Sequence, residues 1–204
     1  MGRGRFITIE GPEGSGKSTH SRLLCEFLRG RGHKMLHTRE PGGTKAGEAI
    51  RKVLLDKRNK DMSDECELFL FLAARAQIVR EVIRPALKRG YIVVCDRFHD
   101  ATVAYQGYGA GLDLKLIDGM GKFATGGLKP DLTILLDVET NVGLKRAGIK
   151  DRMEVKSAAF HRRVRRGYLK IAKKEPRRVK VVRTTDAPVA EIQDEVRKAV
   201  THVV

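Results

Sequence analysis

Phe6-Ile7-Thr8-Ile9-Glu10-Gly11-Pro12-Glu13-Gly14-Ser15-Gly16-Lys17-Ser18 decides the fold: an apolar run, then a glycine-rich turn, then a helix-like segment reaching Gly30. Strand, glycine loop and helix in that order form a phosphate-binding context, with Gly11 to Ser18 matching G-x-x-x-x-G-K-[ST]. Across Gly11, Pro12, Glu13, Gly14, Ser15 and Gly16 the chain folds tightly enough for successive N–H groups to converge on an anion. The helix beginning at Lys17 adds its positive dipole end. Lys17 then reaches the β- and γ-phosphates of a nucleoside triphosphate, and the Ser18 hydroxyl serves Mg²⁺.

Outward from that loop, strands and helices alternate. Lys34 to Thr38 reads as a second strand that ends on Arg39-Glu40-Pro41-Gly42-Gly43-Thr44, and Thr44 to Leu55 has helical apolar spacing. Asp64 and Glu67 signal the start of a long helix, which Pro85 interrupts or kinks and Gly90 closes. Tyr91 to Asp96 reads as a buried central strand, followed by a loop around Gly107, Gly109 and Gly111 and by a helix from about Leu112 to Ala124. Leu132 to Asp137 and Val179 to Thr184 supply two further strands, and Pro188 opens a last helix running to about Val200. The expectation is an α/β protein with the P-loop NTPase fold: a five-stranded parallel sheet flanked by helices, with ligands at the strands' C-terminal edge. Residues 1–204 read as a single domain.

Composition excludes several classes. No apolar run approaches a membrane span or a signal segment, which predicts a soluble, cytoplasmic protein without a membrane partner. Gly2 is no myristoylation site, because position 6 is Phe rather than Ser or Thr. Cys25, Cys66 and Cys95 read as reduced core thiols, and His33 and His37 flank a strand in no metal-binding arrangement. The formal charge is +16, and 16 Lys or Arg against three acids between Lys145 and Arg183 give that segment +13. Only Phe160 and Tyr168 are available there to stack on bases, so a few lid arginines on a solvated surface explain the charge better than a nucleic-acid footprint.

The N-K-x-D signature of guanine specificity is absent. Ile134 to Glu139 resembles a metal-binding strand end, but its second acid comes one residue late, which makes Asp137 structural. Asp96-Arg97 is more pointed, since an acid and an arginine at the end of a central strand can serve a metal and a transferring phosphate together.

The loop from Phe6 to Ser18, Arg39 to Thr44, and Asp96-Arg97 with Ala104-Tyr105-Gln106-Gly107, in that order and spacing, strongly resemble thymidylate kinase. Asp151-Arg152-Met153-Glu154 resembles the lid of the bacterial form, which places a lid at about residues 146–160. The resemblance implies ATP:dTMP phosphotransfer with Mg²⁺ held by Ser18 and Asp96. It implies catalysis by Lys17, Arg97, Glu13 and a lid arginine, Arg152, with Arg146 the weaker candidate. It further implies that Arg51 and Arg97 meet the acceptor phosphate and that Pro41 lines the base pocket. Phe71 would stack on thymine, Arg75 reach its O4, Thr102 touch the base edge and Tyr105 lie under the deoxyribose. Ala101 departs from the usual serine, and a homodimer is implied. A kinase for another nucleoside monophosphate and a nucleic-acid-binding P-loop ATPase stand as alternatives.

Overall fold

The computed structural model describes residues 4–148 and 151–204. Gly2 and part of the proposed lid therefore lie outside the described residues. Five strands, β1 (Arg5–Glu10), β2 (Met35–Arg39), β3 (Ile92–Asp96), β4 (Leu132–Asp137) and β5 (Val179–Arg183), form one sheet in the order β2-β3-β1-β4-β5. Every pairing is parallel. The chain leaves β1 toward one side of the sheet for β2 and β3, then crosses to the other side for β4 and β5. The cleft above β1 is thus the switch point where such sheets hold ligands.

The period-two pattern of the strands decides which helices cover which face. Ile7 and Ile9 of β1, with Ile92 and Val94 of β3, join Leu24 and Leu28 of α1 (Lys17–Gly30) and Val196 and Val200 of α9 (Val189–Thr201). The alternate residues Phe6, Val93 and Cys95 pack on the opposite face with Ile78, Ile83 and Phe98. Completing the helices are α2 (Lys45–Leu55), α3 (Asp64–Ile78), α4 (Arg84–Lys88), α5 (His99–Thr102), α6 (Leu114–Thr125), α7 (Thr140–Ala147) and α8 (Ala158–Lys174).

Several local expectations are corrected. Ser63, not Asp64, caps α3 by accepting from the Cys66 N–H, and Glu67 is buried with other work to do. The interruption expected at Pro85 takes the form of a wide π-helical turn, Val79–Ile83, directly before it, after which α4 restarts with proline in its first turn. The expected glycine loop after β3 is helical: α5 continues into a π-helical segment, Val103–Gly109. Gly107 and Gly109 serve close packing there, since a Cβ would strike Leu114 at the first and Phe160 and Val164 at the second. Cys25 and Cys95 are buried thiols, but Cys66 is exposed. Among the described residues no helix is long and apolar enough to cross a membrane, and no cluster of His, Cys, Asp and Glu suits a metal ion.

Candidate active site

The glycine loop is built as its sequence requires. Gly11, Gly14 and Gly16 have φ of 152°, 67° and 88°, and a Cβ at Gly14 would collide with the Gly143 backbone. Gly16 caps α1 without a side chain, which leaves the first-turn N–H groups of the helix directed at the loop's concavity. Lys17 Nζ donates to the Pro12 carbonyl at 2.8 Å and to Ser15 Oγ at 3.4 Å, so the ammonium lies folded back over the loop. Burial and the neighbouring Arg97 charge pull its pKa down to about 8, against the pull of Glu13, Asp96 and Glu10.

Opposite the loop, Ser18 Oγ donates to Asp96 Oδ2 at 2.8 Å. A hydroxyl beside a carboxylate is the hard-oxygen pair that Mg²⁺ accepts when phosphate oxygens supply the remaining ligands, so these residues fit the metal. Asp137, by contrast, is bound by Arg165 through two contacts of 2.7 and 2.9 Å, a structural ion pair as expected.

Arg97 follows β3 with a φ of 68°, a conformation a long side chain seldom adopts. Its Nη2 donates to Glu13 Oε1 at 2.8 Å, its Nη1 to the Gly11 carbonyl at 3.2 Å and the Tyr168 hydroxyl at 3.3 Å, and the guanidinium stacks 4.9 Å from the Tyr105 ring centre. Tyr105 donates to the same Glu13 oxygen at 2.7 Å. Burial opposes the Glu13 charge, but Arg97, Lys17 and the Tyr105 hydroxyl outweigh it and hold the carboxyl at about 2. Glu13 is therefore a fixed anion that gathers the lysine, the arginine and the tyrosine around one spot.

Beyond it opens a cleft of about 590 Å³. Pro41, after a cis Glu40–Pro41 bond, and Arg51, which donates to the Pro41 carbonyl at 2.9 Å, line one wall. Half-buried Phe71 faces the cleft from α3, with Arg75 one helical turn on and Thr102 and Tyr105 from the helix behind β3. Arg75 is fully buried. Its Nε meets Glu40 Oε2 at 2.7 Å, its Nη1 Thr102 Oγ1 at 2.9 Å and its Nη2 the Phe98 carbonyl at 2.9 Å. All seven residues expected at the acceptor nucleotide thus line one cavity, together with Lys17, Ser18, Glu13 and Asp96.

A scan against family models matches residues 9–196 to the family described as thymidylate kinase. The chain belongs to the thymidylate kinase family. It is 53% identical over 189 residues to the thymidylate kinase of Geotalea daltonii and 49% identical over 193 residues to that of Desulfovibrio desulfuricans, covering 88% and 90% of this chain and 88% and 89% of theirs. The crystal structure of thymidylate kinase from Ehrlichia chaffeensis superposes with a TM-score of 0.81 at 36% identity, covering 98% of this chain and 99% of that one.

Within this thymidylate kinase scaffold one expected site residue lies away from the others. Arg152 does not line the cleft. Its guanidinium is buried, donating to Glu67 Oε2 at 2.6 Å and to the Leu54 carbonyl at 2.9 Å. Glu67 is a hub that also accepts from Gln106 Nε2 at 2.7 Å and pairs with Lys156 at 3.2 Å. The pairing follows from the fold, because α3 brings a buried carboxylate beside Arg152 and Lys156, and an arginine entering that site must meet it. Arg146, the weaker candidate, lines the cleft from the end of α7, its Nη1 donating to the Thr184 carbonyl at 2.9 Å.

Sequence reasoning passed over Glu10 and Glu40. Both are buried carboxyls at the C-terminal ends of strands that border the site, Glu10 closing β1 and Glu40 directly after β2, pushed up by burial to about 8 and about 7, against the pull of Arg97 on the first and Arg75 on the second. For Glu10 the available signal was an acid closing a strand that is otherwise buried and mostly apolar; Glu40, after the mixed strand Met35–Arg39, gave none.

Proposed function

We propose that this thymidylate kinase family enzyme transfers the γ-phosphoryl group of ATP to dTMP, with the triphosphate over Gly11–Ser18 and the monophosphate in the cleft behind Arg97. The observation that carries the reading is the Glu13 junction, where the phosphate loop, Arg97 and Tyr105 meet at the mouth of a pocket sized for one nucleotide. Phosphoryl transfer asks little covalent chemistry of the protein, so positioning and charge carry the catalysis.

Lys17 leaves the Pro12 carbonyl to neutralise the bridging and γ-oxygens of ATP, and Arg97 and Arg51 hold the acceptor phosphate in line. Ser18 and Asp96 would hold Mg²⁺, which when bound neutralises charge on the β- and γ-phosphates. Arg146, from the cleft side of the lid, supplies the cation that the loop lacks at Glu13. Phe71 stacks on the base. Arg75 has five N–H groups and commits three to Glu40, Thr102 and Phe98, which leaves two for a base carbonyl. Tyr105, packed against the Glu13 carboxylate, crowds a ribose 2′-hydroxyl. Ala101 takes no polar part, and Thr102 supplies the hydroxyl at that wall. The family resemblance supports a homodimer acting in the cytoplasm as one domain with a lid at about residues 146–160. The basic surface of α8 serves solubility rather than nucleic-acid binding.

A coupled assay of ADP release against a panel of nucleoside monophosphates tests the reading. Preference for dTMP supports it. Preference for a purine monophosphate, or ATP hydrolysis stimulated by nucleic acid alone, refutes it.

A further inference from the structure

The reach of Arg97 into the cleft is set by a buried hydrogen-bond chain on its far side. Glu10, the last residue of β1, is fully buried. Its Oε1 accepts the Phe98 backbone N–H at 2.6 Å, and its Oε2 accepts the Tyr168 hydroxyl at 2.9 Å. The Tyr168 oxygen in turn accepts Nη1 of Arg97 at 3.3 Å, and the Tyr168 ring packs edge-on against Tyr105 with centroids 6.2 Å apart. One carboxyl group therefore holds both ends of the same residue: the peptide directly after Arg97 and, through a phenol from α8, its guanidinium.

That double hold matters because Arg97 has a φ of 68°. A non-glycine residue there persists only when its surroundings over-determine it. The Arg97 N–H bonds the Ile9 carbonyl at 3.0 Å, the next N–H goes to Glu10, and the side chain is pinned by Glu13, Gly11 and Tyr168. Removing the Tyr168 hydroxyl would take away one of the two acceptors of Nη1, leaving the guanidinium held by Glu13 and the Gly11 carbonyl alone and freer to turn out of its present orientation.

We infer that Glu10 and Tyr168 are positioning residues for phosphoryl transfer, acting through Arg97 to hold its guanidinium where the acceptor phosphate arrives. The inference rests on the role given to Arg97 in the proposed function. Neither residue lines the cleft, so neither meets a nucleotide directly. Without the phenol's charge-assisted hydrogen bond, handling of the acceptor weakens by on the order of tenfold in kcat/KM for dTMP, while KM for ATP is unchanged.

The experiment is a double-mutant cycle on kcat/KM for dTMP with ATP saturating, using Tyr168→Phe, Arg97→Lys and the pair, with Glu10→Gln as a second probe that keeps the packing volume. Circular dichroism confirms that each variant is folded at the assay temperature. Expected are losses for Tyr168→Phe and Glu10→Gln confined to dTMP kinetics. The Arg97→Lys, Tyr168→Phe pair should be no worse than Arg97→Lys alone, because the phenol has nothing left to position. Losses that multiply in the pair, or KM values that rise equally for ATP and dTMP, would overturn the inference in favour of a general structural role. Should Tyr168→Phe misfold, Glu10→Gln with Arg97→Lys completes the same cycle and is judged by the same outcomes. Arg97→Lys with unchanged dTMP kinetics overturns the role of Arg97 and this inference with it. A deficient Arg97→Lys beside fully active Tyr168→Phe and Glu10→Gln overturns the inference alone.

Discussion

Arg152→Ala separates an arginine that stabilises the transition state from one that holds the protein together. Both partners of the Arg152–Glu67 pair are buried, with side chains 5% and 1% exposed and a separation of 2.6 Å. Deleting one partner of such a pair strands the other charge, at a cost of about 3–5 kcal/mol. Lys156, 3.2 Å from the same carboxylate, and the Gln106 amide remain to share the load, which places the loss at the lower end, about 3 kcal/mol. In a domain of this size each kcal/mol lowers Tm by roughly 2–4 °C, so Arg152→Ala should melt about 6–12 °C below the parent. Calorimetry gives that number, and kcat at room temperature, where the variant is still folded, should change only a few-fold through the tether to Gln106 at the cleft wall. Arg146→Ala should do the reverse, with Tm held and kcat lowered on the order of 10³-fold. An Arg152→Ala protein with parental Tm and a loss of kcat on the order of 10³-fold would refute the anchor and restore Arg152 as the catalytic cation.

Other outcomes follow from the same geometry. Lys17 titrates at about 8 before ATP arrives, and the ammonium is the working form, so kcat/KM for ATP should fall as pH rises through about 8; the residual activity of Lys17→Arg should lack that alkaline limb, and a limb that survives would assign it elsewhere. Arg75 has only donors to offer position 4 of a pyrimidine, so the kcat/KM order should be dTMP, then dUMP by a modest factor, then dCMP lower by roughly 10⁴-fold, and efficient use of dCMP would sink the assignment of the base pocket. Arg75→Ala should erase the discrimination against dCMP and also lower Tm, because buried Glu40 loses its ionic partner. Tyr105→Phe removes one of the donors holding Glu13 yet keeps the ring beneath the sugar, so the preference for dUMP over UMP should persist while kcat falls.

The parts of this molecule that were legible in its sequence are those where backbone chemistry leaves little choice. A loop with glycines at φ of 152°, 67° and 88° announces itself, because few other residues tolerate those angles. Strands buried on both faces, such as Leu132–Asp137, read as short, mostly apolar runs, and this one was placed to the residue. Glycines misled where they served packing, as at Gly107 and Gly109, which sit in a helix because side chains of α6 and α8 press against it. Composition carries no mark that distinguishes a glycine freeing the backbone from one making room for a neighbour.

The same limit explains Arg152. Its motif, Asp151-Arg152-Met153-Glu154, resembles a lid motif, but whether an arginine there faces nucleotide or protein depends on what the fold sets beside it. Here that is Glu67, far earlier in the chain, brought in by α3 and dry enough that it must be paired. A buried carboxylate captures the nearest guanidinium, and a phosphate arriving later would have to compete with an ion pair of 2.6 Å at an almost fully buried site. Among the described residues Arg146 has no such rival: from the end of α7 it donates to the Thr184 and Thr185 carbonyls just past β5, so moving toward a γ-phosphate exchanges neutral acceptors for a charged one. On the proposed mechanism the cation reaching the γ-phosphate is therefore Arg146, the arginine whose present partners are neutral and weaker than a phosphate.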